Sequence, residues 1–298
     1  MMREVRWERL FPDQLEKQFK ECPVLYFSYG MCEPHGPQNV LGLDSLKAHA
    51  LACEMARAHG GIAAPPDYWH IHDFGHYSAW GERTIGEELR RWMTAVPPSH
   101  HFKSICYHIR TADILGAHAA VFLTGHYGPN WMDLKTLVEL IQPFVGTRLY
   151  GLPDFEANTH GFENDGKSCG DHAGKVETSL MMALDPACTD MTRMPEQNEP
   201  GFHWAMGPDA YKSDRRIGER MVADEVKFVG GKVKELLAEY DRLQPGHTFR
   251  TYDDVDKFWS NQIAPKLQDF ACIKKGREEP EKIPEYSVWH ENWKGETY

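Results

Sequence analysis

What the sequence lacks sets the first bounds. No apolar run approaches the ~20 residues that a membrane-crossing helix needs, which excludes a spanning helix. The opening stretch from Met1 to Trp7 has no apolar core of the kind that leads a secreted chain. The seven cysteines, at 22, 32, 53, 106, 169, 188 and 272, include no C-x-x-C pair. An odd, scattered set reads as free thiols in a reducing cytoplasm, with no disulfide framework. Positive charge is also scarce. Lys and Arg number 33 against 44 Asp and Glu, a formal charge of −11, so the basic footprint of a nucleic-acid binder is missing. There is no internal repeat and no low-complexity tract.

What is present is ordinary soluble-protein chemistry, 41% hydrophobic and 26% charged over 298 residues. That length suits one large α/β domain or a domain with an appendage. The expected division is one main domain over 1–245, then a helical or irregular appendage over 246–298, packed on the core or used as an oligomer contact. Pro245-Gly246 marks the break.

Along the chain, 1–20 predicts a short amphipathic entry helix with Leu10, Leu15 and Phe19 on one face. Residues 23–30 are β-branched and aromatic and stop at Gly30, a buried strand. A helix follows over 46–56, with Asp44 or Ser45 as its N-cap. A short strand spans 62–66, a loop rich in His and aromatics spans 67–82, and a helix covers about 100–116. A second strong strand, 119–124, runs into Gly125 and His126, and a third covers 147–152. Helical character returns at 172–184, then at 214–243 with a possible break at Gly230-Gly231, and again around 252–270. The tract from Lys274 to Pro280 mixes both charge signs around Gly and Pro and reads as a solvated turn. Strands alternating with helices imply βαβ units and a mostly parallel sheet covered on both faces. In such sheets ligands collect at the carboxyl ends of the strands, where the loops after residues 30, 64 and 124 begin.

Those loops hold the chemistry. Glu33-x-His35 followed by Asp44 offers two hard oxygen ligands and an imidazole, a mix suited to Zn²⁺ or Mn²⁺. In extended backbone Glu33 and His35 point the same way, so they can serve two adjacent ions with Asp44 bridging. His126, at a later strand end, can complete one ion's shell. Each residue taken singly reads more readily as a loop cap or salt bridge, and it is their joint place at strand ends that favours ligands.

Three blocks carry a resemblance. They are Glu33-Pro34-His35-Gly36-Pro37 with Asp44, Thr124-Gly125-His126-Tyr127-Gly128-Pro129-Asn130, and Asp171-His172-Ala173-Gly174-Lys175-Val176-Glu177-Thr178-Ser179. In this order and at these intervals they resemble the creatininase (creatinine amidohydrolase) family over about residues 20–240. The resemblance implies a three-layer α/β/α fold with a mostly parallel central sheet. It implies a dinuclear centre of two divalent ions, Zn and/or Mn with Fe possible, and hydrolysis of a non-peptide C–N bond. It further implies a homo-oligomer, commonly a hexamer.

Carried over position by position, Glu33 and His126 hold one ion and His35 the other, with Asp44 between. The family pattern has a Glu two residues after the strand-end His. Here that position is Gly128, and Glu177 is the candidate replacement, as a ligand or as a partner orienting a ligand His. His172 matches the family's proton donor to the leaving nitrogen, so His172 and Glu177 are the expected catalytic residues. Lys175 replaces the usual Glu of H-A-G-E and can pair with Glu177 or meet an anionic substrate. Tyr127 and Trp204 are further candidates for the substrate wall.

The loop with Trp69, His70, His72, Asp73, His76 and Trp80 is either a substrate lid or an interface, and His70-x-His72 shows no third ligand nearby. The substrate expected is a small-molecule lactam, cyclic amide or formamide. Creatinine itself is disfavoured, because Gln38-Asn39-Val40, Gly128 and Lys175 all change motif blocks. Two alternatives stand beside this one: a peptidase for a small peptide or cofactor precursor, and a non-catalytic binding or assembly protein with an incomplete metal site.

Overall fold

The structure is a computed structural model, and it describes residues 3–72, 92–128, 130–158 and 171–278. Its centre is a four-stranded parallel sheet in the order β2-β1-β3-β4, with β1 Val24–Tyr29, β2 Ile62–Ala63, β3 Ala119–Thr124 and β4 Arg148–Pro153. β1 and β3 are buried along their whole length, as their largely apolar sequences require in a sheet covered on both faces. Their register pairs Tyr29 with Thr124, and Thr124 with Pro153, so three strands end level. β2 is shorter than its sequence suggests, because Pro65 and Pro66 have no N–H for the ladder.

Side chains alternate along each strand and divide the core into two layers. Leu25, Phe27, Tyr29, Ala120 and Phe122 face one side. There they meet α3 (Pro98–Ile114) and α4 (Asn130–Ile141), and the edge of α1 (Pro12–Glu21) through Leu15 and Phe19. Val24, Tyr26, Ala119, Val121 and Leu123 face the other side, against α2 (Leu43–His59) and α6 (Arg215–Leu243). Helix α5 (Lys175–Leu184) lies on this second side, against α6 and α2. The result is the expected three-layer α/β/α arrangement. Among the described residues no helix is long and apolar enough to cross a membrane.

Helix α6 runs unbroken for 29 residues through Gly230-Gly231. The interruption expected there does not occur, because Gly230 is a packing position. A Cβ on it would fall 2.3 Å from the His59 ring, which closes on this helix by donating from Nε2 to the Val226 carbonyl at 2.8 Å.

The C-terminal stretch expected as one helix is α7 (Tyr252–Phe258), then a π turn over Trp259–Ile263, then 3-10 backbone over Ala264–Asp269. Pro265 forbids a continuous α-helix across the junction. Residues 271–278, whose latter part reads as a turn in sequence, form α8 (Ala271–Glu278). Asp133 of α4 starts it by accepting the N–H groups of Ala271 and Cys272. Phe249, Val255, Phe258, Ile263, Leu267 and Phe270 all enter the core beneath the sheet.

Candidate metal centre

The strand order creates the site. From β1 the chain winds outward to β2, then returns to β3 on the other side of β1, so the loops leaving β1 and β3 part and open a crevice. The β1 loop delivers Glu33 and His35, and the β3 loop delivers His126. Helix α2 drops its first turn into the gap. Asp44 lies inside that turn, fully buried, behind Gly42 at the cap position. The expectation that Asp44 caps the helix is corrected, since its carboxylate turns to the crevice. Gly125 allows the helix to sit this close, because a Cβ there would fall 2.2 Å from the Asp44 carbonyl oxygen.

Asp44 gives one oxygen to each side. Oδ2 lies 3.0 Å from His126 Nδ1, and Oδ1 lies 3.2 Å from His35 Nε2. Glu33 Oε1 stands 2.9 Å from His126 Nδ1. On the other side Glu177 Oε2 stands 3.5 Å from His35 Nε2. His35 donates from Nδ1 to the Glu33 carbonyl at 3.0 Å, which fixes the ring and aims Nε2 into the crevice. Three clusters of ligand atoms result among the described residues, each within 4.8 Å: Glu33, Asp44 and His126; His35, Asp44 and Glu177; and Glu33, His35 and His172 at the rim. The first two are fully buried and share Asp44.

Fit to divalent cations is tested by the polar atoms themselves. Glu33 Oε1, His35 Nε2 and Asp44 Oδ1 are all buried, yet none makes a directed hydrogen bond. Such atoms are costly to bury unless a cation takes their lone pairs. The donor set, carboxylate oxygens with imidazole, suits Zn²⁺ or Mn²⁺.

Without a cation the charges are met by protons. Burial would keep His35 neutral, but Asp44, Glu177 and Glu33 outweigh it and raise its pKa to about 9. Burial likewise opposes charge on His126, and Glu33 and Asp44 raise it to about 10. Burial would lift the carboxylates. Around Glu33 the imidazoles of His126 and His72 win and hold it well below the usual range, and His35 and His126 hold Asp44 at about 2.

His172 is half-buried on the rim. It donates from Nε2 to the Pro34 carbonyl at 2.9 Å, leaving Nδ1 4.0 Å from Glu33 Oε1. Burial, reinforced by the neighbouring His35, lowers its pKa and keeps it neutral. Glu177 is placed by its backbone. Asp171 accepts the N–H groups of Val176 and Glu177 at the start of α5, and Ala173 N–H donates to Glu177 Oε2 at 2.7 Å. Gln38 and Asn39, two of the changed motif positions, tie the first block to the third through the Ala173 carbonyl and the Thr178 hydroxyl.

The remaining candidates fall around this core. Tyr127 donates from its hydroxyl to Asp154 at 2.7 Å. The carbonyl of Trp204 accepts Gly36 N–H at 2.7 Å, in a stretch from His203 to Ala205 held at positive φ. Lys175 is half-buried at the start of α5, and its backbone N–H donates to Asp209. The cation against Glu177 is a different one, Lys47 at 2.9 Å.

Lys47 and Asp154 were not singled out in sequence. Lys47 lies one turn after Asp44 in a run dominated by Ala and Leu, and that position is the signal that could have found it. His72 has its Nε2 2.8 Å from Glu33 Oε2, so it belongs to the centre through Glu33. His70, its neighbour in the loop, is buried with Nε2 3.3 Å from Thr124 Oγ1. Trp69 is exposed, and Asp73, His76 and Trp80 lie outside the described residues.

With this geometry in hand, comparison with known proteins is specific. Residues 8–227 match the family model described as creatininase, creatinine amidohydrolase. No curated protein matches by sequence. Among solved structures, the chain resembles a Bacteroides fragilis protein solved as a candidate creatinine amidohydrolase. The TM-score is 0.62 at 19% identity, over 80% of this chain and 98% of that one. A substituted creatininase of Zn-Zn type gives 0.60 at 20% identity, over 78% and 98%. A creatininase described as the Mn form gives 0.58 at 20% identity, over 78% and 98%.

Proposed function

We propose, from the premise that this chain belongs to the creatininase family, that it is a metal-dependent amidohydrolase opening a non-peptide C–N bond. The substrate class is a lactam, cyclic amide or formamide. The observation that carries the proposal is the pair of buried ligand clusters meeting at Asp44. Glu33, Asp44 and His126 would hold one divalent ion, and His35, Asp44 and Glu177 a second. Ions held there would acidify a water and polarise the scissile carbonyl.

The chain's own residues supply the rest. His72 keeps Glu33 from turning away, through its contact with Oε2. His172 is anchored through Nε2 and turns Nδ1 toward Glu33 at 4.0 Å, so Nδ1 is the atom that would take up a proton and pass it to the departing nitrogen. A neutral imidazole suits that duty, since it must accept the proton before giving it. Tyr127 is tied to Asp154 and supports the floor of the site; Trp204 and Lys175, at the rim, are the proposed substrate contacts.

Loss of the carboxylate at Gly128 favours a non-catalytic protein if nothing replaces it. The placement of Glu177 beside His35 supports the enzyme instead. The test is a panel of lactams, cyclic amides, formamides and short peptides, offered to protein loaded with Zn²⁺ or Mn²⁺ and to chelator-stripped protein. Turnover of a cyclic amide or formamide by the loaded form alone is expected. Cleavage confined to peptides, or no turnover with any metal, would overturn the proposal.

A further inference from the structure

Lys47 is fully buried, an environment that an ammonium enters only with strong partners. Its ammonium donates to Glu177 Oε1 at 2.9 Å and to the Gly125 carbonyl, and it stands 3.1 Å from Asp154 Oδ2 and 3.8 Å from Asp44 Oδ1. The Tyr127 ring covers it, its centroid 4.0 Å away. An ammonium this enclosed is out of a substrate's reach, and it has no lone pair for an ion. Whatever it does passes through the residues it holds.

Glu177 is the one that matters, because its two oxygens are treated differently. Oε1 is engaged by Lys47, while Oε2 accepts Ala173 N–H at 2.7 Å and faces His35 and Asp44. A carboxylate with both oxygens open can chelate an ion. The ammonium at Oε1 competes with an ion for that oxygen, whereas the neutral Ala173 N–H leaves Oε2 a lone pair to offer one.

Resting on the two-ion proposal above, we infer that Lys47 is a positioning residue that restricts Glu177 to one-oxygen coordination. It thereby biases the cluster of His35, Asp44 and Glu177 toward Zn²⁺, which four donors satisfy, over Mn²⁺, which takes more oxygen ligands. Removing the ammonium would also leave the site more negative and strengthen every divalent ion. The ratio of two divalent ions cancels that charge effect and isolates the coordination effect.

The test uses the full chain, stripped and reloaded from mixtures of Zn²⁺ and Mn²⁺. Occupancy at each cluster is read from anomalous scattering at the two metal edges, and the Mn²⁺ environment from its electron paramagnetic resonance spectrum. Wild type should take Zn²⁺ at the Glu177 cluster. Lys47→Met, similar in length and uncharged, should shift the Mn²⁺/Zn²⁺ ratio there at least tenfold toward Mn²⁺ and change the spectrum. Lys47→Gln keeps one donor for Glu177 and should give a smaller shift, so it supplies the readout if the Met variant does not fold. Asp154→Asn disturbs the same buried cluster without touching Glu177, and should leave the ratio within twofold. An unchanged ratio in a folded Lys47 variant, or an equal shift in Asp154→Asn, would overturn the inference. A wild-type chain that takes up one ion would overturn the two-ion proposal itself, and this inference with it.

Discussion

Metal entry should expel protons, and the number follows from the site. His35 and His126 carry pKa values of about 9 and about 10 in the metal-free protein, where neighbouring carboxylates overcome burial. Both are therefore charged at pH 7, whereas His172 is depressed and neutral. Coordination needs His35 Nε2 and His126 Nδ1 without their protons, so filling both clusters releases at least two per chain. Displacing protons from groups about two and three units above pH 7 costs roughly 3 and 4 kcal/mol, at about 1.4 kcal/mol per unit. Apparent affinity should then rise about tenfold per pH unit for each ion between pH 6 and 9, and flatten once the imidazoles titrate. The assay is calorimetric titration of stripped protein with Zn²⁺ at pH 7, in two buffers of different ionisation enthalpy. Release of fewer than one proton per chain, or an affinity indifferent to pH, would show that these imidazoles are not the ligands.

Three further outcomes are expected. Glu177→Gln should lose the ion at the His35 cluster while keeping the one at Glu33, Asp44 and His126, as elemental analysis would report. His172→Gln should bind both ions normally and lower kcat by about 10²–10⁴, the usual worth of a positioned acid–base group. A matched loss of metal would refute that role. Asp113 is buried and accepts the backbone N–H groups of Gly146, Thr147 and Phe249 and the Nδ1 proton of His247. Asp113→Ala strands these donors, and should cost about 3–5 kcal/mol and lower the melting temperature by roughly 10 °C. A melting curve unchanged within 2–3 °C would count against it.

How much of this was legible in sequence depends on how local each signal is. β1 and β3 announce themselves as apolar runs closed by glycine, and the ordered motif blocks locate Glu33, His35, Asp44, His126 and Glu177. Asp44 carries two readings in sequence, helix cap and shared ligand, because an Asp before a helical run looks the same whether it bonds the helix N-terminus or faces a crevice. Only the approach of the β3 loop across Gly125 distinguishes the two. Lys47 was passed over for a similar reason. A lysine in a helix reads as a solvated face, and its burial arises from Asp154, Glu177 and Gly125, residues that only the folded sheet brings together. The glycine pair in α6 looked like a break until His59 supplied the reason for it. In the C-terminal stretch, Pro265 and the change from α to π to 3-10 backbone erase the 3.6-residue period, although its aromatics enter the main core.

The central claim is a hydrolase that works with two ions held by Glu33, His35, Asp44, His126 and Glu177. The most direct test is to return Zn²⁺ or Mn²⁺ stepwise to stripped protein while following hydrolysis of its best cyclic amide or formamide. The account predicts that activity climbs until two equivalents per chain are bound, and that Asp44→Asn abolishes it while the protein stays folded. Full activity at one equivalent, or activity surviving in Asp44→Asn, would contradict it.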